Sequence, residues 1–156
     1  MVRWQDSLFR GLGQNSPDHL VFPRRREMKT DNHSLTSVAC ASPDGRRFVE
    51  AGADRNVRLR DGATLEVQRE FRTHNAPITA LAWHPTRAIL ATASEDLVIR
   101  LWNLDSGTRL EELRGPPSPP SVLSFSADGT RVATEARDGV ARIWEPRSLA
   151  APSAGK

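Results

Sequence analysis

The chain has 156 residues, 38% hydrophobic and 26% charged, with 11 prolines and 10 glycines. These values suit a turn-rich soluble domain and exclude a low-complexity tail or a bundle of membrane spans. A net charge of +3 is too small to mark a nucleic-acid binder, and a single cysteine excludes an internal disulfide framework.

Residues 1–31 form an N-terminal segment that reads as mostly irregular. "MVRWQDSLFRGLG" has no apolar core of the kind a secretory leader needs, so a cytoplasmic location is expected. "GLGQNS" fails the dinucleotide fingerprint for want of a third glycine and a preceding strand. Asp18–Phe22, "DHLVF", is a candidate short strand. Arg24, Arg25, Arg26 and Lys29, with Glu27 and Asp31 nearby, read as a solvated tail; a basic nucleic-acid arm is the alternative. "NHS" at Asn32 would accept a glycan only in a secreted chain.

From residue 32 the chain alternates short apolar runs with turn residues. "SVACAS" reads as a strand with Cys40 as a small core residue. Asp44-Gly45 supplies the positive φ that a tight hairpin demands. A second strand, a turn at Asp54 and a third strand follow, and "ATLEVQREF" fits a fourth. "TALAW", "RAILAT" and "LVIRLW" repeat the first three strands around the turn at Asp96, with "GTRLEEL" a weaker fourth. "SVLSF", Asp128-Gly129, "TRVAT", Asp138 and "GVARIW" repeat them once more. The tail, 147–156, offers no alternating strand. Its "SAGK" lacks the other parts of a phosphate loop.

These runs are copies of one unit. "SPDGRRFVEAGADRNVRLRD" from Ser42, "HPTRAILATASEDLVIRLWN" from His84 and "SADGTRVATEARDGVARIWE" from Ser126 align without gaps at 42-residue spacing. Asp54, Asp96 and Asp138 share a column, as do Arg58, Arg100 and Arg142; the next-but-one column reads Arg60, Trp102, Trp144. With no long helical period anywhere, the reading is all-β, with four short antiparallel strands in each of three units at about 32–73, 74–115 and 116–146.

The period, the strand count and the Trp102-Asn103 ending resemble the WD-repeat β-propeller family, which implies a partial β-propeller of about three four-stranded antiparallel blades. The resemblance implies a hydrogen-bonded structural set made of a His before the first strand, a hydroxyl on the second, an Asp in the next turn and the Trp of the third. Here that set is His74, Thr92 (with Ser94 as the alternative hydroxyl), Asp96 and Trp102. The first unit departs from it with Glu50 for the hydroxyl and Arg60 for the Trp, and has Asn32 and His33 at the His column. The third has Thr134, Asp138 and Trp144 but Pro116 in that column. Only the middle unit carries the full set. Arg100 and Trp102 share a strand face, where the guanidinium lies across a ring or reaches an acceptor.

No chemistry beyond binding emerges. His19, His33, His74 and His84 are not spaced to aim two ligands at one ion, so no metal and no cofactor is expected. The regular aspartates recur once per unit, as turn residues do, and no catalytic residue is assigned. Three blades fall short of the 4 to 8 that close a ring. The chain is therefore a fragment or relative of a longer propeller, a protomer that self-associates to complete a ring, or an open stack. The expected function is a non-catalytic protein-protein interaction scaffold whose loop rim carries Arg55, Asn75, Ala76, Glu95, Leu97 and Arg137. The alternatives are the basic-arm nucleic-acid binder and a subunit of an oligomeric propeller that binds a ligand.

Overall fold

The computed structural model describes residues 36–150. The candidate strand Asp18–Phe22, the basic residues Arg24 to Lys29 and the Asn32–His33 column lie outside the described residues. Eleven strands form three antiparallel sheets. The first holds β1 (Thr36–Ala41), β2 (Arg47–Gly52), β3 (Asn56–Asp61) and β4 (Val67–Arg72) in sequential order. The second holds β5 (Ile78–Trp83), β6 (Ile89–Ser94), β7 (Val98–Asn103) and β8 (Thr108–Arg114). The third holds β9 (Pro120–Phe125), β10 (Val132–Ala136) and β11 (Ala141–Trp144).

The fold class read from the sequence is all-β, and so is the protein. The third sheet has three strands among the described residues, in keeping with a tail that offers no alternating pattern. After β11 the chain does not turn back as a hairpin: Pro146 leads into one 3-10 turn, Arg147–Leu149. Glu111 on β8 accepts the backbone N–H groups of Arg147 and Ser148, and the buried Leu149 joins the second sheet's core. The start of the tail is thus tied to the neighbouring sheet.

Sheets pack face to face through their first strands, β1 against β5 and β5 against β9. One core lies between sheets one and two: Val49, Ala51, Val57 and Leu59 against Leu90, Trp102 and Leu104. The other joins Ala91, Ala93, Ile99 and Leu101 to Leu123 and Val132. Alternation puts one set of side chains toward the next sheet and the other toward the previous one, and removing both sets from water supplies the main stabilisation. Cys40 sits half-buried on β1 against the first core, and desolvation pushes its thiol up to about 12. It carries no thiolate at neutral pH.

The turns follow the expected chemistry. Gly129, at φ 74, also has the His84 ring packed over it, where an added Cβ would come within 2.3 Å of Nε2. The second hairpin of each sheet puts its left-handed residue in one column: Arg55 at φ 68, Leu97 at φ 62 and Gly139 at φ 73. Only the third has the residue that adopts this conformation without strain.

Candidate functional site

Two groups of residues occupy the loop end where β2 meets β3, β4 meets β5, and β6 meets β7. The first is the set around Trp102. β6 places Thr92 across from Arg100 on β7, so Trp102 is its diagonal neighbour on the same face. Trp102 Nε1 donates to Thr92 Oγ1 at 3.1 Å, and Thr92 Oγ1 lies 2.7 Å from His74 Nε2. His74 Nδ1 lies 3.0 Å from Asp96 Oδ2. Asp96 cannot donate, so His74 carries its proton on Nδ1 and Nε2 accepts the Thr92 hydroxyl proton. Ser94 takes no part: its hydroxyl donates to the Ala76 carbonyl and accepts the Asp96 N–H.

Arg100 reaches acceptors instead of lying across the tryptophan. Its Nη1 donates to Asp96 Oδ2 at 2.8 Å and packs against His74 Nδ1, and its Nε donates to Glu112 of β8 at 3.0 Å. Burial pushes the His74 pKa below its ordinary value, outweighing the Asp96 contact that raises it. Asp96 is desolvated too, but hydrogen bonds from Arg100 and His74 prevail and hold its pKa at about 2. At neutral pH the set is therefore a neutral imidazole relaying between an aspartate and a hydroxyl, with both polar ends satisfied.

The outer sheets solve the same positions differently. In the third, Trp144 Nε1 donates to Thr134 Oγ1 at 3.0 Å, while Asp138 is held by Arg142 at 2.7 Å. In the first, Glu50 Oε1 accepts from both Nε and Nη2 of Arg60, at 2.8 Å and 2.7 Å, and Arg60 Nη1 donates to the Leu65 carbonyl. The sequence presents these as two lost positions. Their opposite charges, on the same two columns, are the signal that they pair. A second feature passed over is the acid on each fourth strand, Glu70 and Glu112, which accepts from Arg58 and Arg100. Their 42-residue separation makes them a repeat column too.

The second group is the loop rim. Arg55 Nη1 donates to the Asn75 carbonyl at 3.5 Å, Asn75 N–H donates to Asp96, and Glu95 N–H donates to the Pro77 carbonyl. Asn75, Glu95, Leu97 and Arg137 are exposed, while Arg55 and Ala76 are half-buried. Glu95 and Arg137, from sheets two and three, wall one shallow depression of about 300 Å³ with Val38, Ile78 and Pro120 on its floor. Arg55 and Asn75 stand beside it and do not line it. At the opposite loop end His84 packs edge-on to Phe125 and accepts backbone N–H groups from Thr86 and Arg87. Among the described residues no group of three His, Cys, Asp or Glu is placed to hold a metal ion, and no helix is long and apolar enough to cross a membrane.

Comparison with known proteins bears on the repeats directly. The family model described as "WD domain, G-beta repeat" matches residues 25–61, 65–103 and 107–145. The chain belongs to this WD-repeat family. The second and third matches each start with a fourth strand, β4 or β8, and end on the third strand of the next sheet, so the sequence repeat is offset by one strand from the structural blade. Relatives of the WD-repeat chain include Coronin-7 of Rattus norvegicus, 36% identical over 117 residues, 70% of this chain and 13% of that protein. Actin-interacting protein 1 of Drosophila melanogaster is 33% identical over 166 residues, 77% of this chain and 27% of that protein. Pre-mRNA-processing factor 19 homolog 2 of Arabidopsis thaliana is 30% identical over 122 residues, 76% of this chain and 23% of that protein. The chain thus spans a minor part of each of the relatives it matches.

Proposed function

We propose that this WD-repeat chain is a non-catalytic protein-interaction scaffold that docks its partner on the rim carrying Arg55, Asn75, Glu95 and Arg137. The observation that carries the reading is the shared depression of Glu95 and Arg137. Two opposite charges from different blades line it together with Val38, Ile78 and Pro120, an arrangement that suits a peptide segment. The set around Trp102 serves as the rigid support: it ties the loop holding Asn75 to the turn holding Glu95, so the rim is preorganised.

Actin is the first partner to try, because one relative is named for interacting with it and the rim's mixed charge suits a protein surface better than a phosphate backbone. A cytoplasmic location goes with that reading. The test is cosedimentation with filamentous actin, wild type against Glu95→Lys with Arg137→Glu. Capture by the wild type and its loss in the double variant are expected. Capture unchanged by the double variant removes the rim from the reading, and absence of capture removes actin.

A further inference from the structure

We infer that His84 is an acid-sensitive latch between the second and third blades, whose protonation frees the turn after β5 from the turn after β9. The latch lies at the loop end opposite the rim and is built from described residues on both sides. It goes beyond the function proposed above and does not rest on it.

Two sequence columns change together at this turn. The residues after the first strand read Ser42-Pro43-Asp44 in the first blade and Ser126-Ala127-Asp128 in the third, against His84-Pro85-Thr86 in the second. In both outer blades the serine hydroxyl donates to the aspartate at 2.6 Å. The same oxygen accepts the N–H that closes the turn, from Arg47 or from Arg131. The second blade has neither the hydroxyl nor the carboxylate. There His84 Nδ1 accepts the N–H groups of Thr86 and Arg87, each at 3.1 Å. One imidazole nitrogen thus does the accepting that two oxygen groups share in the outer blades, and it is the member of the three turns whose ordinary pKa, about 6.5, lies close to neutrality.

A nitrogen that accepts two N–H groups carries no proton, so the neutral ring holds its own on Nε2. A second proton on Nδ1 would face both donors, and its charge would sit beside Arg87, whose Nε stands 3.4 Å from Nε2. The charged groups on the elements around the ring offer no relief. Asp128, the carboxylate of the facing turn, is engaged by Ser126 and Thr130, and Arg131 pairs with Glu145. Arg47 of the first blade lies over Trp83 and pairs with Asp105. The His84 residue is 3% exposed, so water solvates the charge little while the ring stays in place. Burial and the Arg87 charge accordingly lower the His84 pKa, against a backbone hydrogen bond at Gly129 that raises it. The contacts are therefore intact above the ordinary histidine range and are lost as pH falls through the lowered value. The ring packs edge-on to Phe125, at 5.1 Å between centroids, and covers Gly129, so an imidazolium that swings out to water uncovers the third blade. Two other links between these blades, Thr79 to the Pro120 carbonyl and Glu111 to the Ser148 N–H, contain no histidine and hold the junction elsewhere.

The test follows single amides of the full chain by NMR hydrogen exchange, corrected for intrinsic rates. Protection at Thr86, Arg87 and Gly129 should fall about tenfold between about pH 7 and about pH 5, as expected when a folded histidine pKa lies below an unfolded value of about 6.5. The Arg47 amide, which rests on the Ser42 hydroxyl, should keep its protection. The Asn75 amide, donated to Asp96, reports on His74 separately. His84→Ser combined with Thr86→Asp gives the second blade the outer blades' turn, and should leave Arg87 and Gly129 equally protected at both pH values. The inference is overturned by flat protection in the wild type, by an equal loss at Arg47, or by the same pH step in the double variant. Should the double variant not fold, the wild-type ring decides: a His84 that titrates at or above about 6.5, or that carries its proton on Nδ1 at neutral pH, overturns the inference equally.

Discussion

The first and second blades place the same two strand positions under different chemistry. In the second, Thr92 and Trp102 are neutral, buried and joined through His74 to Asp96. In the first, Glu50 and Arg60 meet across β2 and β3 as an ion pair, with the Glu50 side chain only 3% exposed. The neutral set gains from burying a large ring and leaves no polar atom unpaired. The ion pair must recover the desolvation of two charges before it contributes anything, and it does so with two guanidinium N–H groups on one Glu50 oxygen and a third on the Leu65 carbonyl. The face of the second blade that carries Trp102 packs on the Val49, Val57 and Leu59 face of the first. The ion pair sits on the first blade's other face, where none of the described sheets packs. Aromatic sets therefore occur where one blade meets the previous one, and the charged set where none of these sheets does.

That comparison can be broken most strongly at Trp102. Trp102→Ala should cost about 3 to 5 kcal/mol by removing the ring that fills the first core, measured as the shift in urea-unfolding midpoint at unchanged slope. Next comes the charged counterpart. Arg60→Ala leaves Glu50 without its counter-charge and should cost about 3 kcal/mol or more. Glu50→Thr combined with Arg60→Trp, which transplants the second blade's solution, should recover most of that loss. If the double replacement is no more stable than Arg60→Ala, the two solutions are not interchangeable and the face requires charge.

Acid separates the two blades more gently. The folded pKa values of His74 and Asp96 both lie below their unfolded values, so their stabilisation is present above the unfolded pKa and is lost as pH falls through the folded one. Stability should decline first below the ordinary histidine range, about 6.5, then again as pH falls from about 4 toward about 2. Replacing His74 with Asn should flatten the first step in a pH series of unfolding midpoints. The smallest effect is expected at the strained turn. Leu97→Gly relieves a positive φ that Gly139 adopts freely in the third blade, at some cost in chain entropy, and should raise stability by less than about 1 kcal/mol. A loss of stability on that change would mean that Leu97 earns its strain through packing.

Much of this architecture was legible because it is periodic. The gap-free 42-residue match covered the second and third strands of each blade, the apolar runs beside it marked the others, and Asp44-Gly45 and Asp128-Gly129 announced hairpins in the first and third blades. The members of the Trp102 set were legible too, since a His, a hydroxyl, an Asp and a Trp at family spacing leave few other partners. The choice of Thr92 over Ser94 was not, because both hydroxyls point to the same side of β6 and only the position of His74 separates them. Nor was the repair at Glu50 and Arg60, ten residues apart and diagonal across a register.

The sequence by itself determined the repeat, the all-β class, the turn positions and the alternation that assigns each side chain to one face of its sheet. All are consequences of local backbone preference and a period of two. Tertiary structure decided which polar groups became partners. It joined Arg100 to Glu112, brought Glu95 and Arg137 to one depression and turned the chain onto β8 after β11. Those outcomes depend on how strands pair and sheets stack, which no single strand's pattern contains.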